Sequence, residues 1–387
     1  MEPRPTVFKT TKPGWSRRLS VGFSRTPRYL FRVYDANSRG ITSTSVVSSS
    51  YWSHHTSSCE KDLFSGRFRF GIMELYDHLK WFKMRDCDSN LVSWTSSLLF
   101  AIQLGLYKHS TRPVSKNEND LSKIFVLMID TTKFPRGTFI RDRDAMEFFR
   151  DTSSSWTSDF EALYQTRTET DFYSGEYLSQ GQFSVKGNCS QTSLQKLIDH
   201  GLFRFCPYFI EKRHWAALAS RVVEIRREHF NDELPTRCFR RNERTVGRGA
   251  VVMAQSCLGE KFALPFALMI LALSPIKKVS RVLFSAITGM FSEKELDCIL
   301  PQNLMIDIKD LIEVNDFDGF VYELNNFRQY AWATDPADND CRLLRAIILA
   351  TPMLRTLIVF HALSWAGELC GHGTKNRQRE KRASLMF

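Results

Sequence analysis

Three side chains, far apart in the chain, have the most chemistry to offer: Arg32 in Leu30-Phe31-Arg32-Val33, Ser93 in Val92-Ser93-Trp94-Thr95-Ser96-Ser97-Leu98, and Glu176 in Gly175-Glu176-Tyr177-Leu178-Ser179-Gln180-Gly181. A guanidinium can clamp phosphate oxygens, and a carboxylate can stabilise a cation that develops beside it. Taken singly, each has a plainer reading. Arg32 is then a buried ion-pair member on an apolar strand, Ser93 a helix-start residue and Glu176 a solvated turn residue. Their order, spacing and flanks favour reading them together, with Leu75-Tyr76-Asp77-His78 before the serine stretch and the apolar run Ile124 to Ile129 after it. His78 is a minor candidate, because a lone histidine more often serves structure than chemistry.

The elements that must hold these residues can be read from periodicity. Tyr29, Phe31 and Val33 alternate with Leu30, Arg32 and Tyr34, which predicts a strand with Arg32 on the face of Leu30 and Tyr34. Ile72, Leu75, Leu79 and Phe82 have helical spacing, so Ile72 to Phe82 reads as a short helix with Tyr76 and His78 off its apolar stripe. Leu91 to Thr95 reads as a strand entering a helix over Leu98 to Tyr107, with Ser96 or Ser97 as cap. Ile124 to Ile129 reads as a central buried strand. A short strand at Phe139-Ile140 leads into a helix over Ala145 to Phe149, and 150–170 reads as a polar insertion around Phe160 to Tyr164. Tyr177 to Ser179 then enters a turn at Gly181, and Phe183 to Val185 leaves it as a strand. The hydroxyl-rich stretch Thr42 to Ser58 reads as loop or edge.

In that order the four stretches resemble the Arg–Ser–Glu core of ADP-ribosyltransferases of the cholera and heat-labile enterotoxin A-subunit type. The resemblance covers about residues 27 to 200 and implies a split β-sheet core with NAD as substrate. Breaking the nicotinamide–ribose bond passes through an oxocarbenium-like ribose, which needs an anion at the ribose and a clamp on the pyrophosphate. Carried over, Arg32 steadies the cleft on the phosphate side, Ser93 orders the cleft and holds the glutamate, and Glu176 stabilises the cation. Trp94, Thr95 and His78 join Arg32 and Ser93 as residues expected to border NAD.

Two departures stand out. The family strand reads Ser-Thr-Ser, whereas Ser93-Trp94-Thr95 brings a bulky ring that could narrow the cleft or stack on nicotinamide. Two residues before the glutamate, where arginine-modifying toxins carry a second Glu or Gln, this chain has Ser174, which weakens arginine as acceptor. Transfer to an unknown acceptor such as a protein, hydrolysis of NAD, and an inactive NAD-binding relic all remain open. A different class of reading makes the chain an interaction or nucleic-acid-binding protein through Arg237, Arg240, Arg241, Arg244 and Arg248. Only Phe239 interleaves that run and no nucleic-acid motif accompanies it, so a solvated loop is the plainer account.

A chain of 387 residues is long for one core and predicts two domains. The expected class is α+β, an ADP-ribosyltransferase-like split sheet followed by an all-helical domain. The expected boundaries are a basic, disordered segment 1–26, the core domain 27–210, a helical domain 211–370 and a basic tail 371–387. Within the helical part, segments around Trp215 to Ile225, Phe262 to Leu273, Val279 to Phe291, Leu304 to Ile312, Val321 to Phe327, 343–350 and 353–368 read as helices. The stretch Gly259 to Pro265 is similar to helical regions that follow such cores in fungal proteins. The formal charge of +11 concentrates at the two ends, which suits solubilising tails, localisation signals or polyanion contacts. Nine cysteines without a CxxC pair or zinc-like spacing point to free thiols in a reducing compartment. Met1 to Arg28 lacks an apolar signal core, and no run is long and apolar enough to span a bilayer, so an intracellular, cytoplasmic or nuclear protein without membrane contact is expected.

Overall fold

The computed structural model of the chain describes residues 3–9, 16–54, 62–65, 68–80, 89–111, 120–152, 157–169, 172–230, 243–275, 280–297, 299 and 311–333. Nine strands lie among them: β1 Tyr29–Tyr34, β2 Ile41–Thr42, β3 Val46–Ser48, β4 Leu91–Thr95, β5 Phe125–Asp130, β6 Ile140–Arg141, β7 Glu176–Gln180, β8 Gln182–Ser184 and β9 Cys189–Ser193. They form a six-stranded sheet in the order β6-β7-β4-β1-β5-β9 and a three-stranded sheet β2-β3-β8. Every strand pair is antiparallel. With helices between the strands and a run of helices after β9, the fold is α+β with a helical C-terminal region.

Alternation along β1 and the apolar run of β5 make these two strands the best-paired of the sheet, in register from Tyr29 opposite Asp130 to Tyr34 opposite Phe125. On its other side β1 pairs with β4 only where Phe31 meets Thr95. The two strands therefore part after one contact, and a gap opens beside Arg32. The chain crosses from the large sheet to the small one at Gly181, whose φ of +71° suits glycine in the tight turn between β7 and β8.

Two apolar clusters clamp the large sheet. Leu30, Val92, Trp94, Tyr177, Phe183 and Val185 belong to one, which joins the two sheets. Leu75, Leu79, Leu91, Ile140, Phe149 and Leu178 belong to the other, beneath the helices Phe68–Leu79 and Asp142–Thr152. The helix Leu98–Thr111 buries most of its first three turns, and Ser97 caps it by accepting from the Phe100 amide at 3.0 Å.

Several local expectations change. The N-terminal segment carries ordered structure where described: Thr6 bridges Gln180, and the helix Ser16–Ser24 places Leu19, with Phe8, in the second apolar cluster. Basic composition hid these apolar anchors. The hydroxyl-rich stretch holds β2, β3 and the short helix Ser50–His54, because Val47 is fully buried and supplies an inward face to the small sheet. The polar insertion carries the helix Ser158–Glu169, pinned by the buried Phe160. The helix Glu243–Leu258 has no counterpart in the sequence reading, and it packs closely with Glu260–Leu273.

Contacts gather the described chain into one compact unit up to Asn325, and beyond it only the continuation of the helix Ile312–Ala333 is described. Arg237, Arg240 and Arg241, the helices expected at 343–350 and 353–368, and the basic tail lie outside the described residues. Among the described residues, no helix is long and apolar enough to cross a membrane.

Candidate functional site

A cleft of about 360 Å³ opens where β1 and β4 separate, and all six residues singled out from the sequence line it: Arg32, His78, Ser93, Trp94, Thr95 and Glu176. Arg32 braces the opening. Its Nε donates to Thr42 Oγ1 at 2.9 Å, one terminal nitrogen to the Ser93 carbonyl at 2.9 Å and the other to the Arg39 carbonyl at 3.3 Å. The guanidinium thus ties β1, β4 and the turn before β2 together where a full ladder is missing. Burial pulls its pKa down to about 10, with Tyr34 opposing, so it stays charged at neutral pH.

Ser93 is held by histidine. His78 Nε2 lies 2.8 Å from Ser93 Oγ and its Nδ1 lies 3.0 Å from Ser89 Oγ. Burial first, then Arg32, Arg167 and Arg39, pull the His78 pKa down to about 3, so the ring is neutral over the ordinary range. A neutral imidazole donates from one nitrogen and accepts at the other, which matches two hydroxyl partners.

Glu176 opens β7 directly opposite Thr95, on the sheet face that also carries Ser93. It is buried at 4% exposure, and its Oε2 accepts from Arg167 at 2.8 Å. Oε1 has no hydrogen-bond partner among the described residues. Arg167 also contacts Asp142 Oδ2 and donates to the Leu79 carbonyl at 3.1 Å, and Tyr173 donates its hydroxyl to Asp142 Oδ1 at 3.0 Å. Burial draws the Arg167 pKa down, but Glu176 and Asp142 more than offset it and leave it raised. The expectation that Ser93 holds the glutamate is thereby corrected: Ser93 pairs with His78, and Arg167 holds Glu176.

The Trp94 expectation changes as well. Strand alternation turns its ring to the face opposite Ser93, where it packs edge-on against Phe139 and donates from Nε1 to Ser179 Oγ at 2.9 Å. At 2% exposure, little of the ring is left to stack on a ligand.

The loop that delivers Glu176 is fastened one carbonyl at a time. The Tyr173 carbonyl accepts from Arg226 at 2.8 Å, the Ser174 carbonyl from the Thr95 hydroxyl at 2.6 Å, and the Gly175 carbonyl from the Ser96 amide at 2.9 Å. Ser97 Oγ in turn reaches Glu313 Oε1 at 2.5 Å, and Arg226 is ion-paired to the same carboxylate at 2.7 Å. The run Thr95-Ser96-Ser97 is therefore a clamp for the loop before Glu176 as well as a helix start.

Sequence reading missed Arg167, on the helix just before β7, Asp142, at the start of the helix Asp142–Thr152, and Arg226 and Glu313, which reach these elements from helices far along the chain. Arg39 and Lys108 add cationic groups to the cleft wall. Arg244 and Arg248 of the arginine-rich run lie exposed on the helix Glu243–Leu258, away from the cleft lining.

Residues 25–182 match the model of a family described as a domain of unknown function, DUF7587. The match spans the cleft residues from Arg32 to Glu176 and stops before Arg226 and Glu313. The chain matches no curated protein and no solved structure.

Proposed function

We propose that the cleft binds NAD and that the chain breaks its nicotinamide–ribose bond, passing ADP-ribose to an acceptor such as a protein side chain. The observation that carries the reading is the convergence of Arg32, Ser93 and Glu176, from three strands, on one cleft. The bond from the ribose C1′ to nicotinamide breaks with its electron pair leaving on nicotinamide. The acceptor's lone pair then closes on C1′ and its proton passes to solvent. In this reading the Glu176 carboxylate, with Oε1 unengaged and the residue 4% exposed, stabilises the cationic ribose. Arg32, with Arg39 and Lys108 nearby, supplies positive charge for the pyrophosphate. Neutral His78 orients the Ser93 hydroxyl at the cleft wall.

One observation favours a second reading, in which NAD is bound without turnover: Oε2 of Glu176 is already engaged by Arg167. Nicotinamide release from NAD by the full chain, beside Glu176→Gln, separates the two. Release that falls about 100-fold or more in a folded variant supports the enzyme. NAD binding without release from either protein supports the second reading, and release equal in both removes Glu176 from the chemistry.

A further inference from the structure

The Glu176 loop is gripped by residues that lie well past the segment matched by the family model. Arg226, on the helix Ala219–His229, donates to the Tyr173 carbonyl at 2.8 Å. The same guanidinium reaches Glu313 Oε1 at 2.7 Å and Oε2 at 3.1 Å. Glu313, in the first turn of the helix Ile312–Ala333, also accepts from Ser97, two residues past the strand that carries Ser93. Both charged side chains are almost wholly buried, at 5% and 1% exposure.

Leu311 and Val314 add an apolar contact by packing on Tyr173. The fit is tight at Gly175, where a Cβ would sit 2.8 Å from Leu311 Cδ1 and 2.5 Å from Ser96 Oγ. A buried pair of this kind is weak evidence for stability, since well-packed apolar residues often serve as well. Its geometry does something an apolar pair cannot: it joins the Tyr173 carbonyl, three residues before Glu176, to the hydroxyl that caps the helix beside the cleft.

We propose that Arg226 and Glu313 are positioning residues that hold the 173–176 loop, and through it the Glu176 carboxylate, against the Ser93 strand. The helices after the core then complete the site. The proposal rests on Glu176 as the working carboxylate, while its structural part stands without NAD chemistry.

The test is hydrogen exchange over 172–180 in the full chain, compared with β1 and β5, for Glu313→Gln and the double variant Arg226→Met/Glu313→Leu. The double variant removes both charges together, so it keeps a buried unpaired charge out of the comparison. Amides of 173–178 should exchange about ten-fold faster or more while β1 and β5 keep their protection. In a turnover assay, kcat should fall with KM for NAD little changed. Exchange that is unchanged, or that rises equally across β1 and β5, overturns the positioning role. A local rise in exchange with no nicotinamide released by the parent protein leaves the positioning role standing and instead removes the NAD-cleavage reading.

Discussion

Arg167 Nη1 lies 2.8 Å from Glu176 Oε2 and contacts Asp142 as well, so one guanidinium is shared by two carboxylates that are each at most 5% exposed. Without it the two buried acids, which repel each other, would lose the ion pair they share. Arg167→Met should therefore cost about 3–5 kcal/mol at pH 7, the usual loss on breaking a buried pair from one side. Urea denaturation measures it. Adding Asp142→Asn should recover part of the loss, and a change below about 1 kcal/mol in the single variant would show that the cluster is not energetically coupled.

His78 sets a pH dependence whose sign follows from its partners. Its pKa is pulled from 6.5 to about 3 by burial, Arg32, Arg167 and Arg39, so the unfolded chain binds its proton more readily than the native one. The stability linked to this group is complete above pH 6.5 and is lost as the pH falls toward 3. Denaturation midpoints at pH 7, 5.5 and 4.5 should drop less steeply in His78→Gln, by on the order of 1 kcal/mol per pH unit. Parallel slopes in the two proteins would mean that His78 is readily protonated in the folded state.

Trp94 should prove a core residue. Trp94→Phe removes the donor to Ser179 Oγ and part of the packing against Phe139, which should cost about 1–3 kcal/mol. Nicotinamide release and KM for NAD, measured on folded protein, should stay within about two-fold of the parent. A large rise in KM would return the indole to the ligand site.

Gly175 sits at φ +68°, and a Cβ there would meet Ser96 Oγ at 2.5 Å. Gly175→Ala combines left-handed strain of about 1–2 kcal/mol with overpacking of about 1–3 kcal/mol. Thermal denaturation should report a loss of that order, and turnover should fall further because the shift occurs next to Glu176. A fully stable Gly175→Ala with parent activity would show that the loop has room to relax.

The alternation of β1, the apolar run of β5 and a helix cap at Ser96 or Ser97 were legible because each depends on neighbours two to four residues away, and the structure gives the cap to Ser97. The order Arg32, His78, Ser93, Glu176 was picked out through the resemblance of the four stretches to the Arg–Ser–Glu core and not through periodicity. All four line one cleft. The helices Ser16–Ser24 and Glu243–Leu258 were not legible, since basic and polar residues dilute their apolar positions and burial against distant elements decides them.

What the amino-acid sequence determined by itself was six of the nine described strands, β1 and β4 to β8, because period acts over short range. The strands β2, β3 and β9 escaped it, and the α+β class and candidate side chains came with the resemblance of four short stretches. Which groups hold which was decided by tertiary structure alone. Ser93 met His78 where Glu176 was expected, Glu176 met Arg167, and Trp94 turned into the core. The Glu176 loop found Arg226 and, through it, Glu313. A buried charge needs a partner, but nothing in short-range spacing says from which distant helix that partner will come.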